Sequence, residues 1–331
     1  MKLDSARELK TQLLSAAVRT LEAPAAIRAM GVRAQSSDVV NDPLRTVALG
    51  IGRSGQQHVL AVRLQRRALV NHPVLDDIRK KAKGEVDIRY VGRVLKLETP
   101  SKLQKRRRPL VIGCSIGHFS ITAGTLGCFV KDRKSKATLI LSNNHVLANE
   151  NNAKKGDAIL QPGSFDKGKR PKDVAANLQT FVKLKARAVN FVDCATAAPV
   201  AGIAFDARTL GSFGKLAGVG SAVTEDGTVV HKVGRTTGET SGRVTAFELD
   251  NVIVGYDIGN LRFDNQVEIE GAGLKSFSDG GDSGSLIVDE ALNAVALLFA
   301  GGDEGGTNGM GLTYANPIHA VLDALRVDLL T

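Results

Sequence analysis

The sequence predicts a mostly β protein with two domains, and its size and composition support this. At 331 residues the chain has room for two domains, one of them large. The 35 glycines favour many turns, and the absence of Trp with only three Tyr suits short strands better than long helices. No run of 18 apolar residues occurs, so we expect no membrane-spanning helix.

The sequence pattern over residues 1–108 predicts a helix followed by a small α+β domain. Apolar side chains recur at helical spacing over residues 4–22, where Ser5 and Glu8 form a capping box and Pro24 ends the segment. A polar loop is expected around residues 35–38, and a basic linker over 99–108. Between these loops, two strands, a helix and a strand are predicted over 46–51, 58–64, 74–83 and 86–97.

Positive charge is concentrated in this front domain. Residues 1–108 hold 23 Lys and Arg against 10 Asp and Glu, whereas residues 109–331 hold 21 against 24. The excess of +13 favours an acidic protein, a nucleic acid or a membrane surface as a partner of the front domain. A basic, soluble domain without such a partner is equally compatible with this composition.

The N-terminus and the cysteines favour a cytoplasmic location. The first residues carry scattered charges and no apolar signal core. Cys114, Cys128 and Cys194 are few and odd in number, which favours free thiols in a reducing compartment. Cys194 lies in an apolar run, so we expect a buried structural thiol. His58 and His72 lack partners at ligand spacing, so neither a metal nor another cofactor is expected.

From residue 109 to 331 the sequence predicts short strands and a final helix. The expected strands cover 115–122, 125–131, 137–141, 189–195, 252–256, 266–270, 294–299 and 311–314, with a hairpin over 229–246. Residues 149–173 are polar and are expected to form loops. Asn316 is the predicted cap of the last helix and Pro317 suits its first turn. Its apolar face is formed by Ile318, Val321, Leu322 and Leu325.

Three polar residues of this second domain accompany apolar runs. His145 follows one run, Asp193 lies within another, and Ser283 lies on the Gly-rich bend 279–284 before a third. Glycines let such a bend turn tightly, so that backbone N–H groups and the Ser hydroxyl face one point, as an activated nucleophile requires. By itself, a bend of this composition is also a common hairpin turn.

The order His, Asp, Ser, at spacings of 48 and 90 residues, resembles the catalytic triad of chymotrypsin-like serine peptidases. The Gly/Thr hairpin at 229–246 resembles that of the bacterial streptogrisin-type members, without their flanking cysteines. The resemblance implies two six-stranded antiparallel β-barrels and a C-terminal helix over residues 109–331. It implies Ser283 as the nucleophile, His145 as the base, Asp193 as the acid that orients it, and the N–H groups of Gly281 and Ser283 as the oxyanion hole.

The resemblance also implies a primary pocket and two supporting features. The expected pocket residues are Phe277, Ser278, Phe299, Ala300, Gly301, Gly302 and Gly311. Basic-specific members have an acid where Phe277 stands, and glutamate-specific members have a His where Phe299 stands. An uncharged substrate side chain before the scissile bond (P1) is therefore expected. Ala300 replaces a Ser that supports the triad Asp in many relatives, and Asp282 is expected to brace the nucleophile turn.

The expected function is that of a cytoplasmic serine endopeptidase with protein or peptide substrates. His231, at the entrance to the hairpin, is expected to be structural because the triad already has its base. Two other functions are compatible with the sequence. One is a peptidase-like protein that holds peptides with little turnover. The other is a nucleic-acid-associated protein in which the basic front domain dominates.

Overall fold

The computed structural model describes residues 1–14, 47–55, 57–65, 69–91, 102–273 and 275–331. The second half of the first predicted helix (15–22), the predicted loop at 35–38 and the end of the predicted strand 86–97 lie outside the described residues. No helix among the described residues is long and apolar enough to cross a membrane.

Short strands dominate the structure, as predicted. The strands are β1 Val47–Ser54, β2 Gln57–Leu64, β3 Val86–Tyr90, β4 Leu110–Val111, β5 Ser115–His118, β6 Gly124–Thr125, β7 Cys128–Asp132, β8 Thr138–Ser142, β9 Ala158–Leu160, β10 Val174–Phe181, β11 Ala195–Pro199, β12 Phe205–Asp206, β13 Thr209–Leu210, β14 Gly214–Lys215, β15 Gly218–Val219, β16 Val229–Gly234, β17 Gly238–Asp250, β18 Val252–Tyr256, β19 Gly259–Phe263, β20 Gln266–Gly271, β21 Leu286–Asp289, β22 Asn293–Gly302, β23 Leu312–Pro317 and β24 Val327–Leu329. The helices are α1 over 3–14, α2 Pro73–Lys81, α3 Asn144–Leu147 and α4 Ile318–Leu325.

A closed six-stranded antiparallel barrel forms the C-terminal half. Its strands follow the order β16, β21, β22, β23, β20 and β17, and β17 returns to pair with β16. Branched and aromatic side chains fill its interior, among them Val230, Ile269, Phe277 and Ile287. This barrel confirms the second of the two predicted six-stranded barrels.

A curled half-barrel stands in place of the first predicted barrel. Its eight strands follow the order β24, β7, β8, β11, β10, β9, β5 and β6. The apolar face of α4, with Ile318, Val321, Leu322 and Leu325, is buried in its core as predicted. Pro317 occupies the cap position, and the Asn316 side chain donates to Gln266 Oε1 (2.6 Å) instead of capping the helix.

The predicted ββαβ order is present in the front part, but its sheet is not separate from the barrel. Strand β2 pairs with β1 and β3, and β1 pairs with the second half of β17, with Leu49 opposite Asp250 and Ile51 opposite Phe247. Helix α1 begins at residue 3, so Ser5 lies inside it and is not its cap. The boundary between residues 108 and 109 remains a prediction.

Two strand predictions in the half-barrel need correction. Residues 149–173, predicted as loops, contain β9, which pairs with β10 and β5. Asp193 lies in an extended segment just before β11, whereas it was predicted within a strand over 189–195. A three-residue strand has no visible sequence period, so only its partners define it.

Candidate active site

Ser283 lies on a tight turn between β20 and β21 of the closed barrel. Gly281 and Gly284 on either side of it have φ values of +88° and +93°, which L side chains rarely adopt. A Cβ at Gly281 would overlap the Arg235 guanidinium, and one at Gly284 would overlap Ser142. The turn therefore depends on glycine at both positions.

The backbone N–H groups of Gly281 and Ser283 have no acceptor within the described part of the chain. The N–H groups at positions 279, 280, 282, 284 and 285 all donate to backbone or side-chain oxygens. Thr236 Oγ1 donates to Gly280 O (2.5 Å) and Thr125 Oγ1 to Gly281 O (2.9 Å), which fixes the peptide planes. Such a pair of free donors is suited to binding an oxyanion.

Asp282 braces the turn from within, as predicted. Its Oδ1 accepts the N–H of Thr236 (2.8 Å), and its Oδ2 accepts the Thr237 hydroxyl (2.6 Å) and the N–H of Asp279 (3.0 Å). The fully buried Lys232 ammonium lies 3.2 Å from Oδ2. Burial lowers the pKa of Lys232, while the Asp282 carboxylate opposes this by favouring the charged form.

His145 and Asp193 meet in the half-barrel, and their side chains are buried. His145 stands in the one-turn helix α3 directly after β8, and its Nδ1 lies 2.5 Å from Asp193 Oδ2. An ionised carboxylate only accepts hydrogen bonds, so Nδ1 carries a proton, and in the neutral imidazole Nε2 is then the nitrogen with the lone pair. The imidazole is therefore held in the tautomer that accepts a proton at Nε2.

Five further hydrogen bonds fix Asp193, and one of them is donated by the Asn143 side chain to the Asp193 backbone carbonyl (2.7 Å). Its Oδ1 accepts the N–H of Asn144 (2.6 Å) and of His145 (3.3 Å), and its own N–H donates to Asn316 Oδ1 (2.9 Å). The Tyr256 hydroxyl donates to Asp193 Oδ2 (2.7 Å), the oxygen that also faces His145. Burial, and then the Asp193 charge, raise the pKa of Tyr256 well above its usual value, so the hydroxyl stays protonated.

Strand β6 connects the two halves of the site. Thr125 N–H donates to Ser283 O (2.8 Å), and a Cβ at Gly124 would meet both Ser283 O (3.0 Å) and the side chain of Val146, next to His145. Ser142, three residues before His145, donates to Thr125 O (2.7 Å). Within the described part of the chain, the Ser283 hydroxyl makes no hydrogen bond to His145.

The residues predicted for the pocket fall into three groups. Ser278 Oγ lies 2.6 Å from Thr313 Oγ1 and 3.5 Å from the Cβ position of Gly301, and Gly302 packs against Gly311. Phe277 fills the barrel interior. Phe299 and Ala300 belong to a different cluster, with Tyr314 and Phe263. The pocket therefore remains a prediction, with Ser278 and the three glycines as its contiguous part.

The three cysteines and His231, for which structural roles are predicted, contact neighbouring side chains of the fold. The three cysteines are free and buried, and burial raises the pKa of Cys114 to about 11 and that of Cys194 well above its usual value. His231 Nδ1 lies 2.7 Å from Ser241 Oγ, and its ring stacks on Phe213. Among the described residues, no three His, Cys, Asp or Glu side chains converge as metal ligands would.

Two residues of the site, Tyr256 and Lys232, are not indicated by the sequence patterns. Tyr256 lies in the β18–β19 hairpin, 63 residues from Asp193 in sequence, so only the fold brings them together. Lys232 gives a weak signal, because a Lys within the apolar run 229–233 of a buried strand needs a counter-ion.

The fold is mostly β, with a closed barrel that carries Ser283 on a glycine-rich turn and a half-barrel that carries the paired His145 and Asp193. The structure is similar to those of chymotrypsin-like bacterial serine proteases. Thermobifida fusca protease A is 15% identical (TM-score 0.46) and Cellulomonas bogoriensis chymotrypsin 17% (0.45); each match covers 67% of this chain and 98% of the other. Nocardiopsis protease is 15% identical (0.47), over 67% and 99%. No protein-family model and no curated protein sequence matches the chain.

Proposed function

We propose that this chain is a serine endopeptidase in which Ser283 attacks the peptide carbonyl. His145 takes the hydroxyl proton at Nε2 and later gives it to the leaving amine, while Asp193 stabilises the imidazolium. The N–H groups of Gly281 and Ser283 hold the oxyanion, where one lost donor typically costs about 2.7–4 kcal/mol. The observation that carries this proposal is the 2.5 Å contact of His145 with Asp193, beside two unpaired N–H groups at Ser283.

We further propose that the P1 residue is uncharged, because none of the seven predicted pocket residues carries a charge.

The three free cysteines support a reducing, cytoplasmic location. The buried Lys232 supplies a cation to Asp282 from within the chain. The nucleophile turn is therefore braced without help from another ion.

The test compares the wild-type chain with Ser283→Ala on a mixed peptide library read by mass spectrometry. We expect cleavage by the wild type alone, with uncharged residues before the cut, and a loss of several orders of magnitude in the variant. Equal cleavage by both chains would refute the role of Ser283. Cuts that follow Lys, Arg, Asp or Glu would refute only the pocket.

The peptide-holding alternative draws on one observation, the missing hydrogen bond between Ser283 and His145. Such bonds are often long before substrate binds, so we favour the enzyme. A fluorophosphonate probe separates the two functions. Labelling of Ser283 that His145→Ala abolishes supports the enzyme, whereas peptide binding without labelling supports the alternative.

A further inference from the structure

Two basic segments meet on the half-barrel and form one surface, here named the basic patch: residues 105–108 and 167–172. Together they contain eight Lys or Arg and no Asp or Glu. The buried Gln161 accepts from Arg107 N (2.8 Å) and Arg108 Nη1 (2.7 Å) and donates to Lys105 O (3.1 Å), while its backbone N–H donates to Asp173 O (2.9 Å), next to the second segment. The patch is therefore built by the fold from parts about 60 residues apart in sequence.

The acidic residues that border the patch do not neutralise its outer face. Asp166 and Asp173 have side chains that are only 4% and 10% exposed. Asp166 is held by Arg235, and Asp173 by Arg106 (3.1 Å). Arg107, Lys167 and Lys169 are exposed. Like charges gathered in this way repel one another, and an anionic partner would relieve that repulsion.

The patch is connected to the candidate active site through Arg235. The Arg235 guanidinium lies against Gly281 and donates to both oxygens of Asp166 (2.7 Å each), directly before Lys167. The exposed Phe165 ring lies 5.2 Å from Arg235 Cζ. Arg235 and Asp166 therefore form a direct bridge from the nucleophile turn to the first residue of the second basic segment.

We propose that the basic patch binds an acidic stretch of the polypeptide substrate, on one side of the bond to be cleaved. This inference rests on the proposed peptidase function. A polypeptide is favoured over a nucleic acid because the patch continues from the oxyanion N–H groups, where a peptide carbonyl would lie. The patch thereby selects among substrates with the same residues at the scissile bond.

The test uses quenched fluorescent peptides with one cleavable core and a tail of Asp and Glu, or of Ser and Gly, on either side. The full chain is compared with a patch variant, Arg107→Ser/Lys169→Ser/Lys172→Ser. A control variant, Lys131→Ser/Lys134→Ser/Lys215→Ser, loses the same charge from exposed positions elsewhere.

We expect the wild type and the control variant to cleave one acidic-tailed peptide about tenfold more efficiently than its neutral counterpart at low salt, with the preference shrinking as salt rises. The patch variant should lose most of this preference and keep its kcat/KM on the neutral peptide. A preference below about twofold, or one that the patch variant retains, overturns the inference while the peptidase stands. No cleavage of any peptide counts against the peptidase itself.

A binding measurement tests the patch without turnover. Fluorescence anisotropy with Ser283→Ala should show the acidic peptide bound about tenfold more tightly by the chain with the intact patch than by the chain with the three patch substitutions. Tighter patch-dependent binding of a labelled DNA duplex or RNA strand than of the acidic peptide would overturn the inference in favour of a nucleic-acid surface.

Discussion

Tyr256 gives Asp193 a hydrogen bond from a side-chain hydroxyl, at the carboxylate oxygen that also faces His145. Its ring stands at 70° to the His145 ring, with centroids 5.8 Å apart. The neighbouring Ile258 N–H donates to Glu150 Oε2 (3.2 Å), so the hairpin that carries Tyr256 is itself anchored near His145. The proposed triad is thus supported from the β18–β19 hairpin.

Replacing Tyr256 with Phe tests this support. A hydrogen bond to a charged group contributes about 1.5–3 kcal/mol, so kcat should fall by about 10- to 100-fold. KM should change little, because the hydroxyl faces Asp193 and not the substrate. Steady-state kinetics on a library-derived peptide measures this. Tyr314→Phe, which removes a buried hydroxyl 3.4 Å from Glu268, is the matched control and should keep kcat. A Tyr256→Phe enzyme with full kcat would refute the support.

The buried ion pair between Lys232 and Asp282 is expected to stabilise the folded state. In Lys232→Met the Asp282 carboxylate stays buried without its cation, and removal of one partner of a buried pair typically costs about 3–5 kcal/mol. The free energy of unfolding in urea should fall by that amount. Lys232→Met/Asp282→Asn should recover part of the loss, since no buried charge remains. A single variant as stable as the wild type would contradict this.

At the scale of elements, the front sheet and the closed barrel are joined by buried charge. Arg63 on β2 donates from Nε to both carboxylate oxygens of Glu268 on β20 (2.7 and 2.8 Å), and its Nη2 lies 3.0 Å from Asp87 on β3. The Thr245 hydroxyl of β17 donates to Glu268 as well (2.8 Å). Because the Arg63 guanidinium faces carboxylates on both sides, an apolar substitution on one side alone would leave a buried charge.

Asp87 makes this joint sensitive to acid. Burial alone would raise the pKa of Asp87, but Arg63 and Arg89 lower it below its usual value of about 3.9. The folded state therefore releases this proton more readily than the unfolded state. The resulting stabilisation is present above about pH 4 and is lost as the pH falls through the folded value.

The expected result is a free energy of unfolding that decreases as the pH falls from about 5 to 3, with a smaller decrease in Asp87→Asn. Denaturant titrations at a series of pH values measure both curves. Asp76→Asn, an exposed carboxylate on α2, is the control and should follow the wild type. Parallel curves for wild type and Asp87→Asn would contradict the assignment.

For the whole molecule, the front part extends the sheet of the closed barrel beyond β17. Val91 follows β3 and belongs to the cluster that contains Phe299 and Tyr314, and a Cβ at Gly305 would meet Val91 Cα (3.0 Å). The Glu270 carboxylate accepts the N–H of Thr307 (2.7 Å), and the same carboxylate lies beside the Arg89 guanidinium. The loop before Gly311, next to the predicted pocket, is therefore packed against the front part.

We expect residues 109–331 alone to be strongly destabilised, because removal of the front part uncovers Glu268, Tyr314 and the edge of β17. The thermal transition followed by circular dichroism should fall by more than about 10 °C or be lost, since about 1 kcal/mol shifts a domain of this size by 2–4 °C. Addition of residues 1–108 in trans should raise it again. A transition equal to that of the full chain would show that the front part is dispensable for folding.

The sequence by itself determined the mostly β class, the C-terminal helix, the Gly-rich turn and the three candidate residues His145, Asp193 and Ser283. These features depend on short-range patterns: alternation, a 3.6-residue period, and glycine where the backbone requires positive φ. Tertiary structure decided that the first barrel is a half-barrel, that β1 extends β17, and that Tyr256, Lys232 and Arg63 find their partners. Such pairings join residues far apart in the chain, and a side chain carries no local sign of the partner that the fold brings to it.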